Sequence, residues 1–388
     1  MLKVGFIINF NSNKWLGGFN LVINLIKSLS LLKDKKIKPI LIIDRKLPSG
    51  ILKGLNVEVV KTNYFLKEKT YKRIFNKILI FLLGKSYIYE KLFKDLKIDV
   101  VSHTLLPLGK NSSLKSFPWI PDFQYYHYPE NFSFKNRILK KINIYLARKH
   151  SNKIILSSKN ARNDLKKISY KAYKNSIVNP FVFDLIERKK ILNLKRIQKK
   201  YKFKNNFLYL PNQYFVHKNH IVVLKALKEA LKDEKNKDIT IVSTGFNNDH
   251  RDPAYFNRLN SFIKKNKLTK NYLYLGIVPY EDMMSLIYNS ISLINPSNFE
   301  GWSSSVEQAK SMGKKIILSN IAVHKEQDPK RAEFFDKNNH HELARIIKKI
   351  WFRYDHEHEQ KIIKKSYKIL KKRLKKYALD YQRIIINN

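Results

Sequence analysis

The chain has 388 residues, of which 77 are basic and 31 acidic, giving a formal net charge of +46; 44% are hydrophobic and none is cysteine. That length favours two domains, and the apolar fraction is that of a packed protein, so a peptide-sized, disulfide-stapled or disordered chain is excluded. Without cysteine there are no disulfides, zinc-thiolate sites, iron–sulfur clusters or cysteine nucleophiles, and the charge predicts an anionic partner, either nucleic acid or an acidic lipid surface, unless it only reflects a Lys/Ile/Asn-rich composition.

Residues 1–10 read as a first β-strand rather than a secretory leader, since no small-residue cleavage site follows the apolar run. The stretch 78–83 is about six residues long, far below the roughly 20 needed to cross a bilayer. In chain order, a strand over 4–10, a helix over 19–32, a strand over 39–43 and an apolar edge at 99–102 form a first α/β series, placed at residues 1–180. Residues 183–201, rich in lysine, suit a connecting helix. The second series, 181–360, is clearer: strands over 207–211, 239–244, 272–276, 291–295 and 315–319 alternate with helices over 219–231, 255–265, after Pro279 and over 304–312. Such alternation is the pattern of domains built on parallel sheets. Residues 361–388 form a basic amphipathic helix, with Ile363, Tyr367, Leu370, Leu374, Tyr377 and Tyr381 in one stripe.

Three strand-to-helix passages carry candidate chemistry. Gly17 and Gly18 follow the first strand, where a backbone without side chains can approach an anion; a tight turn explains them as well. Lys218 follows the strand ending at Pro211, where its ammonium can hold a diphosphate beside a helix amino end. His217 and His220 beside it fit ligands, bases or hydrogen-bonded loop histidines. Glu300 lies past the strand ending at Asn295, and Glu307 sits seven positions on in the next helix. Both can face one crevice, Glu307 taking ribose hydroxyls and Glu300 a sugar, with N–H groups near Ser304 and Ser305 meeting phosphate. Equally, Ser303 can cap that helix while the acids favour its dipole.

With Ala309, Gly313 and Ser319, the Glu300/Glu307 pair looks like the E-x7-E signature of family 4 glycosyltransferases. The resemblance also takes in Gly17 and Gly18, residues 211–220, Thr244-Gly245, Leu275-Gly276 and residues 323–327, and spans nearly the whole chain. It implies the α/β GT-B fold, two Rossmann-like domains facing each other across a cleft, with the C-terminal helix free to cross back to the N-terminal domain. It further implies retaining transfer of a sugar from a UDP- or GDP-sugar to the hydroxyl of a saccharide or lipid-linked acceptor. Where the motif matches, Glu300 and Lys218 carry over as catalytic; Asp122, which equally fits the cap of a turn after Pro121, and His127 complete the candidate catalytic set. Gly17, Gly18, Gln213, Thr244, Gly245, Gly301, Ser304, Ser305 and Glu307 bind the donor. No cofactor is expected and, the sequence holding no D-x-D motif, no metal. Two positions depart from the family. Gln213 stands where an arginine is usual, and Pro121 precedes Asp122 where a histidine is usual, leaving His127 as the candidate substitute.

A cytoplasmic enzyme, peripheral on the inner membrane face, follows as the first reading, for cell-surface polysaccharide or glycolipid synthesis. Residues 64–93 and 361–381 are its candidate lipid-facing segments, unless the latter packs across both domains. A sugar-nucleotide epimerase on the same fold and a basic nucleic-acid-binding protein are the alternatives; the latter has no recognisable nucleic-acid module, so no specific nucleic acid is expected.

Overall fold

The computed structural model describes residues 1–8, 16–44, 56–62, 75, 78–80, 82–104, 108–109 and 111–388. The chain divides into unit 1, Met1–Val182 with Lys372–Asn388, and unit 2, Phe183–Lys371.

Unit 1 opens with β1 (Leu2–Ile8), α1 (Leu16–Ser30), β2 (Ile37–Asp44), β3 (Glu58–Thr62), α2 (Tyr87–Asp95), β4 (Val100–Ser102) and β5 (Lys115–Phe117). These strands make a parallel sheet in the order β3-β2-β1-β4-β5. The run LKVGFII suits its central place, since a strand of a parallel sheet is covered on both faces and reads as continuously apolar. Pro39, which has no N–H to give to a ladder, falls one residue before β3 joins β2 at Ile40. A second parallel sheet, β6-β7-β8, follows: β6 (Trp119–Ile120), α3 (Gln124–His127), α4 (Phe134–His150), β7 (Ile154–Leu156), α5 (Lys159–Ile168), α6 (Tyr170–Lys174) and β8 (Ser176–Val178). Its strands are two or three residues long, too short for periodicity to reveal.

Unit 2 contains α7 (Leu194–Tyr201), β9 (Leu208–Leu210), α8 (His220–Ala230), β10 (Ile241–Ser243), α9 (Tyr255–Lys265), β11 (Tyr272–Tyr274), α10 (Tyr280–Asn289), β12 (Leu293–Asn295), α11 (Ser304–Met312), β13 (Ile316–Ser319), α12 (Ala322–Gln327), β14 (Ala332–Phe335) and α13 (His340–Phe352). The sheet order β11-β10-β9-β12-β13-β14 is all parallel and reverses direction between β9 and β12. This is the 3-2-1-4-5-6 order of a doubly wound fold. The strands and helices expected in this half are present. Between residues 183 and 201 the α-helix is confined to α7, which Asn193 caps by accepting from the Arg196 N–H at 3.0 Å.

The last helix, α14 (His356–Asn387), gives its residues up to Lys371 to unit 2 and the rest to unit 1. Its stripe is inside the protein: Ile363, Leu370, Leu374, Tyr377 and Tyr381 are buried, Ile363 in the unit 2 core and Tyr381 against Phe6 and His103 of unit 1. Packing therefore accounts for this segment. Of the other lipid-facing candidate, residues 64–93, residues 64–74, 76–77 and 81 lie outside the described residues. Among the described residues no helix is long and apolar enough to cross a membrane.

Candidate active site

In open parallel sheets the place where strand order reverses opens a crevice beyond the strand ends. In unit 2 that place is β9/β12, and the loops leaving these two strands carry Lys218 and Glu300. A 3-10 turn, Val216–Lys218, is ended by Asn219 at φ 54°, a left-handed conformation that asparagine tolerates better than most side chains. From there the Asn219 amide donates to Asn298 Oδ1 at 3.2 Å and to the Lys337 carbonyl at 2.9 Å. The Asn298 N–H donates to the His217 carbonyl at 2.8 Å. The two loops are thus latched, and Lys218 Nζ donates to Glu300 Oε1 at 2.7 Å, the side chains being 17% and 10% exposed.

Glu300 is held by more than the lysine. The Ser297 hydroxyl lies 2.8 Å from Glu300 Oε1 and 2.7 Å from Asn295 Oδ1, sharing its one hydrogen between them. Burial is the largest influence on the Glu300 carboxyl and raises it; the Lys218 charge, with hydrogen bonds from Lys218 and Ser297, overcomes burial and holds it at about 2. The carboxylate is therefore ionised at neutral pH.

The amino end of α11 is shaped by two amides. Ser303 occupies the cap position but makes no side-chain cap bond. Its hydroxyl instead accepts from Asn295 Nδ2 at 2.8 Å, and Ser305 Oγ stands 3.3 Å away. The capping expectation for Ser303 fails: its oxygen turns to Asn295, at the end of β12, instead of to the N–H groups of the first turn. Gln327, at the end of α12, clamps the Ser303 backbone from both sides, accepting from its N–H at 3.1 Å and donating to its carbonyl at 3.0 Å. The same amide reaches Glu307 Oε2 at 3.4 Å. Glu307 is fully buried in the first turn, with Ser305 buried and Gly301 and Ser304 half-buried beside it. Only six residues separate Glu300 from Glu307. The second position of a true E-x7-E spacing is Gln308, which is also buried and whose Nε2 lies 3.5 Å from Tyr280 Oη.

Beyond β10, Thr244 bonds Tyr209 Oη at 2.7 Å, and Gly245 sits at φ +145°, where a Cβ would stand 2.4 Å from the Asn212 carbonyl oxygen. Only glycine lets these loops approach so closely. Gln213 is exposed. In the β10 loop, Arg251 lies over the Phe215 ring at 4.7 Å and grips buried Asp249 through Nε (2.7 Å) and Nη2 (2.9 Å). His220 is no loop-surface histidine; it is fully buried, stacked on Tyr214 at 4.1 Å, and burial pushes it down to about 3. Burial likewise pushes His217 down to about 3.

Sequence reasoning did not single out His324 or Arg251. His324 is fully buried in α12. Ser319 gives its hydroxyl hydrogen to the Ser297 carbonyl at 2.6 Å, so its two oxygens, 3.0 and 3.1 Å from His324 Nδ1, accept from that nitrogen. Burial pushes His324 down to about 4. Arg251 is one of 77 basic residues and carries no motif; its signal is the run Asp249-His250-Arg251 just past a strand end.

In unit 1, Gly17 and Gly18 lie in the first turn of α1 rather than in the loop before it, because the helix begins at Leu16. Residues 9–15 of that loop lie outside the described residues. Asp122 accepts from the Gln124 N–H at 3.0 Å and so turns the chain into α3. His127 pairs through Nε2 with Asp164 Oδ2 of α5 at 2.8 Å. His103, just past β4 at φ 56°, lies against Phe6, Trp119 and Tyr381, and burial pushes it down to about 3. Among the described residues no group of three or more His, Asp or Glu is placed to hold a metal ion.

Residues 192–369 match the family model described as glycosyl transferases group 1. A comparison with curated proteins returns no match. Among solved structures the chain is similar to HepE of Anabaena, crystallised with UDP and glucose, at 14% identity over 99% of each chain and a TM-score of 0.70. It is similar to a glycosyltransferase of Rickettsia africae at 16% identity, covering 100% of this chain and 99% of that one, with a TM-score of 0.67. WaaG, a glycosyltransferase involved in lipopolysaccharide biosynthesis, matches at 11% identity over 97% of this chain and 95% of its own, with a TM-score of 0.60. These likenesses establish the fold, and the family match establishes the class of the carboxyl-terminal unit. Residues 192–369 form a group 1 glycosyl transferase domain, and the chain that carries it is a glycosyltransferase of the GT-B fold.

Proposed function

We propose that the protein is a retaining glycosyltransferase that moves a sugar from a UDP- or GDP-sugar to a hydroxyl of a saccharide or lipid-linked acceptor, in cell-surface polysaccharide or glycolipid synthesis at the inner face of the cytoplasmic membrane. The observation that carries this reading is the Lys218–Glu300 contact of 2.7 Å where the unit 2 sheet reverses. In this reading the ammonium serves a leaving diphosphate and the carboxylate serves sugar hydroxyls, one hydrogen bond apart.

Departure of a nucleoside diphosphate develops negative charge, and fixed cations and oriented N–H groups stabilise it. In this reading Lys218 carries that task. Arg251, held over Phe215 of the same loop, is the second cation that Gln213 does not supply. The amino end of α11, with Gly301, Ser304 and Ser305, meets phosphate oxygens. Glu307, with Gln308 next to it, takes the ribose hydroxyls, while Thr244 and Gly245 shape the neighbouring wall. Glu300 orients the transferred sugar. Gly17 and Gly18 serve the phosphates from unit 1, whose Asp122 and His127 position the acceptor hydroxyl or handle its proton. The reading requires no cofactor or metal.

Thermal unfolding with a panel of nucleoside diphosphate sugars tests it. At least one UDP- or GDP-sugar should raise the melting temperature of the wild type, ligand at 100 times its Kd adding about 2.7 kcal/mol. Glu307→Ala should lose that shift. A panel without effect on the wild type overturns the donor assignment. Conversion of the donor to another sugar nucleotide without acceptor marks an epimerase; nucleoside diphosphate released only when acceptor is supplied marks the transferase.

A further inference from the structure

The unit 1 helix α4 buries one side and bares the other. At 100° per residue, Ile144, Ala147 and His150 share the inward face and are buried. Phe134, Ile138, Ile142 and Tyr145 share the opposite face and are 70%, 41%, 41% and 46% exposed. Lys135, Arg137, Lys141, Arg148 and Lys149 surround that apolar row. Arg137 lies over the Phe134 ring at 5.8 Å, and Arg148 and Lys149 lie over Tyr145 at 5.1 and 5.8 Å. No acid occurs in the helix's 17 residues.

We propose that this face of α4 docks the protein on an anionic bilayer, the helix lying in the membrane plane. The inference rests on the membrane-face part of the proposed function and gives it a surface; it does not depend on the donor. Four bulky apolar groups in one row call for hydrocarbon, and a rim of a single sign calls for negative charge. An anionic lipid interface offers both within the roughly 5–10 Å that an in-plane helix penetrates. The long basic side chains reach out to headgroups while their stems cover acyl chains. The equally basic α14 does not compete for this role, its apolar stripe being buried within the protein.

Co-sedimentation of the full chain with phosphatidylcholine vesicles containing about one-third phosphatidylglycerol tests the inference. The wild type should bind at low salt, release as salt rises and ignore pure phosphatidylcholine. Phe134→Ser with Ile138→Ser should weaken binding at least ~10-fold, and Lys135→Glu with Lys141→Glu by a similar factor. All four side chains are exposed, so both variants should melt with the wild type, which checks that lost binding is not lost folding. Wild type that fails to bind overturns the membrane reading and this inference together. Wild type that binds while both variants bind equally overturns the role of α4 alone. Binding to polyglutamate but not to vesicles overturns it in favour of an acidic protein partner.

Discussion

Two close contacts of nearly equal length, the Lys218–Glu300 ion pair at 2.7 Å and His127 Nε2–Asp164 Oδ2 at 2.8 Å, are built on different foundations. The first joins the two loops that leave the sheet of unit 2 where its strand order reverses, and both loops are tied further by Asn219, Asn298, Ser297 and Asn295. The second joins a four-residue helix to the side of α5 in unit 1, and its histidine is 35% exposed. A fixed, mostly dehydrated charge acts on a ligand without first having to be oriented, whereas an exposed one is screened by water. Equal length therefore does not mean equal consequence: the unit 2 pair should govern the chemistry, and the unit 1 pair should adjust it.

The largest effects test that ranking directly. Lys218→Ala and Glu300→Gln should each lower turnover by about 100-fold to 1,000-fold, the loss seen when one preorganised charge-stabilising group is removed. Structure and catalysis are then separated by the double variant Lys218→Met/Glu300→Gln. Lys218→Met alone leaves a buried carboxylate unpaired and should cost roughly 3 kcal/mol in chemical denaturation, most of which the double variant should regain because no charge remains uncompensated. Its turnover should stay lost. If turnover returned with stability, the pair would be structural only.

The same pair gives a pH dependence. Glu300 is held at about 2, below its ordinary 4.5, so the folded state binds fewer protons there than the unfolded chain. Its contribution is complete above about pH 4.5 and is lost as pH falls toward about 2. Urea unfolding of the wild type should weaken across this window. Glu300→Gln, with no proton to bind, should show a shallower fall.

Gly245→Ala comes next in size and asks whether the loops must approach as closely as they do. At φ +145° and 2.4 Å from the Asn212 carbonyl, the added Cβ forces one loop to move. A cost of about 2 kcal/mol is expected, read as a lower melting temperature, with weaker donor binding in the same variant. Unchanged stability would show that the clasp between the β9 and β10 loops is loose.

Much of unit 2 was legible because β9 to β13 are apolar runs closed by polar loops, and because charges at strand ends stand out in sequence; β14, AEFF with only Phe335 buried, escaped for want of such a run. What braces those charges was not. Asn295 and Gln327 are ordinary amides until the fold brings a strand end and a helix end to either side of Ser303. Arg251 is one basic residue among many until it lies over Phe215. Glu307 is the seventh position from Glu300 and Gln308 the eighth; comparing donor shifts in Glu307→Ala and Gln308→Ala decides which turn position serves the ribose. Periodicity found the stripe of α14 but not what covers it, and α4, with an equally basic composition, keeps its outer row uncovered. A pattern along one helix says that a face exists; only the neighbours of that helix say whether the face is filled.

The smallest expected effect falls on the unit 1 pair and is the sharpest test of its meaning. His127→Ala should lower kcat/KM by less than about 10-fold, since a general acid or base that contributes fully is worth 100-fold or more. Size alone does not decide between a proton carrier and a brace for α3, but the shape of the pH profile does. A proton-handling His127 gives the pH profile of kcat/KM a limb that vanishes in His127→Ala and moves in Asp164→Asn, because the aspartate is its partner at 2.8 Å. If His127 only holds α3 against α5, both variants should lower the melting temperature and leave the profile of the remaining activity unmoved. In that case Asp122, fixed by its bond to the Gln124 N–H, is left as the one acceptor-side group of the proposal still able to handle a proton.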